Sequence, residues 1–309
     1  MKKIKAIFFF FVLVFNVTLL QATFPTITEQ SFYPNCLTPF NGENKVVLER
    51  SKMGDLPYCK VTFGEKTVEM LFDTGATHTT LDVDFVKAVF PDVTLYPLTL
   101  PNTNVQSQVY LFKVPSMQLG NVTLDDFYMM ATDLDHLAEQ MQVPIKGILG
   151  LNVMGYAPFL LSLGENSVTW SPLAFSTRDQ SDRKGFTSLP KAKGAPNRLM
   201  IPIRTHKGVD LHLLLDTGAS FTFLPDHAWE ASDKPLHLSA TDINQTQERQ
   251  FMYGVTGTMD FGGVSLEVTP IVLAPDAQRP SLLGVDVLSK IDLYINVHQA
   301  SLLAKPFVK

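Results

Sequence analysis

The chain has 309 residues, 45% of them hydrophobic and 18% charged, with a net charge of −5 and a pI near 5.8. That length suffices for one large domain or two modest ones with proper cores. No stretch concentrates Lys and Arg with interleaved aromatics, which argues against nucleic acid as a partner.

Residues 1–22 read as a secretory signal peptide. Lys2, Lys3 and Lys5 make a basic start, Ala6 to Leu20 is apolar apart from Asn16 and Thr18, and Ala22 is a small residue before the cut. An uncleaved anchor is the alternative, although the apolar run is shorter than the ~20 residues of a usual span. No later stretch is apolar enough to cross a bilayer, so the expected localisation is secreted or periplasmic. Residues 23–44 are polar and irregular, broken by Pro25, Pro34 and Pro39. They read as an arm packed on the body or as a short propeptide. Only two cysteines exist, Cys36 and Cys59. In an exported chain such a pair suggests one disulfide, worth about 3 kcal/mol in the chain-entropy model. Two free thiols are the alternative.

From Lys45 onward the pattern is mostly that of short strands. Lys45 to Leu48, Leu56 to Phe63 and Thr67 to Phe72 alternate or run apolar, with a turn at Gly64-Glu65-Lys66. Leu81 to Val89 has helical spacing and stops at Pro91. Leu95 to Leu100 and Val105 to Val114 read as a hairpin around Pro101-Asn102-Thr103-Asn104. Ser116 to Leu119 and Val122 to Ala131 flank a turn at Gly120-Asn121. Leu134 to Met141 suits a short helix, and Phe159 to Leu163 and Ser167 to Trp170 suit two last strands. Residues 176–198 are rich in Ser, Lys, Arg, Gly and Pro and read as a linker. Met200 to Arg204 and Val209 to Leu215 then repeat the opening hairpin.

The repetition goes further. Phe72-Asp73-Thr74-Gly75-Ala76-Thr77 is matched by Leu215-Asp216-Thr217-Gly218-Ala219-Ser220. Met117-Gln118-Leu119-Gly120 is matched by Met259-Asp260-Phe261-Gly262. The offset is 143 residues for the aspartates and 142 for the methionines, which marks a duplicated unit. The second unit lacks a match to Leu134–Met141. The domains expected are therefore 45–175 and 199–309, each mainly β. An apolar strand ending on a carboxylate is costly unless that charge is paired or hydrogen-bonded. Two such strands suggest carboxylates that meet.

These stretches resemble the Asp-Thr-Gly active-site motif of aspartic proteases, and Ala in the fourth place resembles the retropepsin-like branch more than the pepsin-like one. A second signature of that family, two apolar residues and a Gly, stands at Ile148-Leu149-Gly150 and Leu282-Leu283-Gly284. The resemblance implies two retropepsin-like β-barrel lobes related by a pseudo-two-fold axis, with an active-site cleft between them. It implies a shared dyad of Asp73 and Asp216 that activates water for peptide-bond hydrolysis. Thr74 and Thr217 would hydrogen-bond across the interface. Gly75 and Gly218 would let backbone N–H groups reach the carboxylates, with Ala76 and Ala219 completing the loops. Leu149, Gly150, Leu283 and Gly284 would support the loops from the core. Hairpin flaps would sit at Pro101 to Val105 and Asn244 to Glu248. Tyr110 and Tyr253, each 37 residues after its Asp, would line the cleft or simply pack on a sheet. The typical Gly-rich flap tip is absent.

The implied partner is a polypeptide substrate, with no cofactor or metal and a monomer acting as a pseudo-dimer. The seven His residues are scattered, with no His-Glu-x-x-His pattern. The pairs Asp82/Asp84, Asp125/Asp126 and Asp133/Asp135 read as solvated. A two-carboxylate glycosidase would not require matching Thr-Gly-Ala loops. A non-catalytic peptide-binding module on the same fold is the remaining alternative.

Overall fold

The computed structural model describes residues 7–9, 27–36, 42–98, 108–171, 185–189, 198–241, 246–273, 281–299 and 301–308. The expected flap at Pro101 to Val105 lies outside them, as do 244–245 of the expected flap Asn244 to Glu248, whose residues 246–248 open the strand Thr246–Gly254.

The first lobe is a closed six-stranded barrel. Pro57–Phe63 pairs with Lys66–Phe72, which pairs in parallel with Gly147–Leu149. Gly147–Leu149 pairs antiparallel with Thr80–Asp82, and that strand pairs in parallel with Val122–Thr132. The long hairpin Val109–Leu119/Val122–Thr132 turns at Gly120, and its first arm returns to Pro57–Phe63 through Thr62 and Gln118. Alternate residues of Pro57–Phe63 are buried, as expected of a strand with one face inward. The helix Val83–Val89 is capped by Asp82, whose side chain accepts from the Phe85 N–H at 3.0 Å. Asp82 also accepts from the Leu134 N–H and pairs with Lys146, so it is buried rather than solvated as its sequence context suggested. The helix Asp135–Met141 follows.

The second lobe repeats the plan, without closing among the described residues. Met200–Thr205, Asp210–Leu215, Leu282–Leu283, Phe223–Pro225, Ile271–Leu273 and Thr246–Gly254 lie side by side. The long arms of the first lobe's hairpin are here split in two. Thr246–Gly254 stops before Gly257–Asp260, and Ser265–Val268 stops before Ile271–Leu273. Pro270, which has no N–H to donate, stands in the second gap. The outer hairpin Ala231–Thr241/Thr246–Gly254 carries one more strand: Ile7–Phe9 runs parallel to Ser239–Thr241.

A third sheet joins the lobes. Its order is Thr187–Ser188, Ser301–Pro306, Ile291–Asn296, Phe159–Ser162, Ser167–Trp170, Asn44–Val47. The seam pairs Phe159–Ser162 of the first lobe with Ile291–Asn296 of the second. The segment expected to be only a linker thus contributes an edge strand, with Leu189 buried and its N–H donated to Leu302. One continuous apolar core runs from Phe63 and Phe127 through Trp170 and Phe159 to Leu293, Trp229 and Phe261.

The N-terminal residues 27–36 are an arm packed on the first lobe. Ile27 and Phe32 are buried with Val109, Leu111 and Met130, and Asn35–Cys36 pairs with Leu124 and Asp125. The expected Cys36–Cys59 disulfide is not formed. Cys59 is a free thiol sealed in the core, and burial pushes it up to about 12. Cys36 lies on a strand added outside Val122–Thr132, and both arms of the long hairpin stand between it and Pro57–Phe63.

Candidate active site

Each motif loop begins where a strand has run from solvent into the core. Lys66–Phe72 starts exposed and ends in three buried residues, and Asp210–Leu215 does the same. The next residue in each case is the aspartate, with Asp73 and Asp216 only 1% and 2% exposed. Burying a carboxylate costs several kcal/mol unless donors meet it. The turn supplies them. Asp73 Oδ1 accepts from the Gly75 N–H at 2.8 Å and the Ala76 N–H at 3.2 Å. Asp216 Oδ1 accepts from the Gly218 N–H at 2.9 Å.

The two glycines do more than free their N–H groups. A Cβ on Gly75 would stand 2.6 Å from Asp216 Cγ, and one on Gly218 would stand 2.6 Å from Asp73 Cγ. Each glycine therefore faces the other lobe's carboxyl, and the missing side chain is what lets the carboxyls approach. They lie within hydrogen-bonding reach of each other. Asp73 Oδ2 is buried with no N–H or O–H donor among the described residues. Its carboxylate neighbour can donate only when it holds the proton. Burial raises both carboxyls above the ordinary range, and for Asp216 the facing Asp73 charge raises it further.

The threonines tie the two loops together. The Thr74 N–H donates to Thr217 Oγ1 and the Thr217 N–H to Thr74 Oγ1, both at 3.0 Å. Thr74 Oγ1 in turn donates to the Leu215 carbonyl at 2.9 Å, and Thr217 Oγ1 to the Phe72 carbonyl at 2.5 Å. All four bonds cross between the lobes, so the position of one carboxyl is fixed relative to the other.

The late apolar-Gly elements lie alongside. Gly147–Leu149 and Leu282–Leu283 each run parallel to the strand entering the motif. The Asp73 N–H donates to the Leu149 carbonyl, and the Asp216 N–H to that of Leu283. A Cβ at Gly150 would stand 2.6 Å from the His78 carbonyl carbon, and at Gly284 2.4 Å from that of Phe221. Below them sits a pair that sequence reading missed. The Gly150 N–H donates to Thr79 Oγ1, which donates to Asn152 Oδ1; the Gly284 N–H donates to Thr222 Oγ1, which donates to Asp286 Oδ1. The second position after each late Gly was the available signal. Burial lifts Asp286 to about 6, although the Thr222 hydroxyl and the Val287 N–H partly hold its charge.

Both tyrosines pack on sheets, and the cluster that Tyr253 joins includes Ala219 of the second motif loop. Tyr110 is half-buried on the main core, opposite Ala131 and Pro97, and Tyr253 is half-buried against the Phe223–Phe251 cluster. The one cluster of possible metal ligands among the described residues is Asp82, Asp133 and Asp135, away from the motif loops, and Lys146 already pairs with two of its carboxylates.

Two duplicated β lobes that present paired, buried Asp-Thr-Gly loops to each other define a bilobal protein of the aspartic-protease type. A family model described as aspartyl protease matches residues 59–153 and 201–287, one match per lobe, and the chain belongs to that family. Among solved structures, basic 7S globulin from soybean shares the fold with a TM-score of 0.51 at 10% identity, covering 86% of this chain and 95% of that one. No curated protein sequence matches.

Proposed function

We propose that the protein is an exported aspartic endopeptidase. The observation that carries this reading is the Asp73–Asp216 pair, with each carboxyl seated against the other loop's glycine. Two carboxyls this close share one proton, as in aspartic proteases generally, because both cannot ionise together. In hydrolysis, the carboxyl that is ionised takes a proton from water as the water oxygen attacks the peptide carbonyl carbon. The protonated partner gives its proton to the carbonyl oxygen. Collapse of the tetrahedral intermediate breaks the C–N bond, and the leaving amine takes up a proton from the pair. The leader-like composition of 1–22 supports export; cleavage after it would take the strand Ile7–Phe9 off the outer hairpin, and sequencing the mature N-terminus tests that part.

The chemistry requires a singly protonated pair. Burial raises both carboxyls, and the facing Asp73 charge raises Asp216 further, so the pair keeps its shared proton to higher pH than ordinary carboxyls would. Ala76 and Ala219 add no side-chain donor to favour the charged forms. A mildly acidic optimum is expected, and kcat/KM on denatured casein from pH 2 to 8 measures it; a maximum at the lowest pH counts against it. Asp73→Asn and Asp216→Asn should each abolish hydrolysis in a folded protein, with the double variant no worse, while exposed Asp84→Asn stays active. Substantial cleavage by either folded single variant sinks the shared-dyad reading. A wild-type protein that binds peptides without cleaving them would favour the peptide-binding alternative.

A further inference from the structure

The two halves of the site are supported differently. Below the first loop stands Asn152, 2% exposed; below the second, at the equivalent place, stands Asp286. Both use Oδ1 to accept from a threonine hydroxyl. An amide differs from a carboxylate in having N–H donors, and in Asn152 a donor is used: Nδ2 donates to the carbonyl of Phe32 in the N-terminal arm at 2.6 Å. Asp286 has no N–H of its own to offer such an arm. Asn152 Oδ1 meanwhile accepts from the Thr79 N–H at 2.7 Å and from Thr79 Oγ1 at 2.9 Å. Thr79 Oγ1 accepts from the Gly150 N–H, and Gly150 runs so close to the His78 carbonyl that a Cβ would not fit between them.

The arm touches the same loop a second way. The Phe32 ring meets the His78 ring edge-on, with centroids 4.6 Å apart. The next residue, Tyr33, packs beside His298 in the second lobe, at 6.1 Å between centroids. The arm thus spans both lobes, and it is anchored by buried apolar side chains and a strand pairing rather than lying across the surface.

We propose that residues 27–36 are a permanent strap that holds the first catalytic loop in register, with Asn152 as the positioning residue that receives it. The strap is part of the working protein and not a removable propeptide. The proposal rests on the peptidase reading for its effect on catalysis, but the strap itself is measurable without activity.

The test uses the full chain with Asn152→Asp and, separately, Phe32→Ala. Asn152→Asp keeps the acceptor for Thr79 and removes the donor to Phe32 when ionised; when protonated, its O–H can donate to that carbonyl again. Hydrogen exchange is followed at the Thr79 and Gly150 amides below the melting temperature. Exchange at least tenfold faster in both variants is expected, with protection in Asn152→Asp returning as pH falls. Hydrolysis of casein should show kcat reduced about tenfold or more with KM little changed, and the same recovery at low pH. Should Asn152→Asp fail to fold, Phe32→Ala alone decides by the same readouts. Unchanged exchange in a folded variant overturns the strap, whatever the activity. Faster exchange in a protein whose wild type cleaves nothing would keep the strap and overturn the peptidase reading.

Discussion

Replacing Gly75 with Ala adds one methyl group 2.6 Å from both Cγ and Oδ1 of Asp216 and 3.0 Å from its Oδ2. Ordinary contact begins near 3.4 Å, so the carboxyl or the loop must move by about 0.8 Å, in an interior packed too densely to yield freely. Asp216 is held from behind by the Gly218 N–H, and the loop by the threonine bonds across the interface. Overpacking of this kind costs about 1–3 kcal/mol, seen as a fall of several degrees in Tm. Displacement of a reacting group by about 1 Å can cost ~100-fold in rate. The expected result is therefore kcat down by about two orders of magnitude with a smaller change in KM. Gly218→Ala should do the same through Asp73. Gly42→Ala is the control, because a Cβ there meets nothing within 4 Å. The assay is steady-state hydrolysis beside thermal unfolding of each variant. A Gly75→Ala protein with wild-type kcat and Tm would show that the carboxyl does not face this glycine.

Two further outcomes follow from titration and burial. Asp286 is lifted to about 6 by burial; a carboxyl raised in the folded state favours folding below its unfolded value and loses that contribution as pH rises through the folded one. The loss is at most about 3 kcal/mol. Asp286→Asn, which copies Asn152, should therefore lose less Tm than wild type between pH 4 and 7, and identical slopes would refute it. Cys59, sealed in the core with its thiol pushed up to about 12, should resist iodoacetamide at pH 8 until denaturant is added, and a reductant should leave Tm unchanged; labelling of the native thiol would contradict its burial.

Much of the site could be read from the chain because its chemistry is local. Asp-Thr-Gly-Ala carries its own turn, its own N–H donors and its own gap for the opposite carboxyl, so the two copies announce the dyad. Strand alternation likewise marked Pro57–Phe63 and Lys66–Phe72 almost residue for residue. What escaped depends on distant partners. Asp82 looks solvated beside Asp84, but a helix start, the Leu134 N–H and Lys146 surround it in three dimensions. Cys36 and Cys59 look like a pair because they are the only two, yet the long hairpin stands between their strands. Thr187–Ser188 sits in a polar stretch that signals a loop, and only pairing with Ser301–Pro306 makes it a strand. Asn152 has no motif status by itself. Its role appears once the arm, 120 residues earlier, lies beside it.

The seam between Phe159–Ser162 and Ile291–Asn296 has a consequence for behaviour on dilution. When two separate chains each supply half of such a site, the fraction of assembled sites falls as the concentration falls, and a dilute solution holds mostly idle halves. Here the halves belong to one chain and are stitched by a common sheet, so their meeting is intramolecular and its effective concentration does not depend on how much protein is present. Every folded molecule carries one complete pair of loops. The same linkage releases the halves from having to be identical: His78 can stand where the other half has Phe221, and Asn152 where it has Asp286.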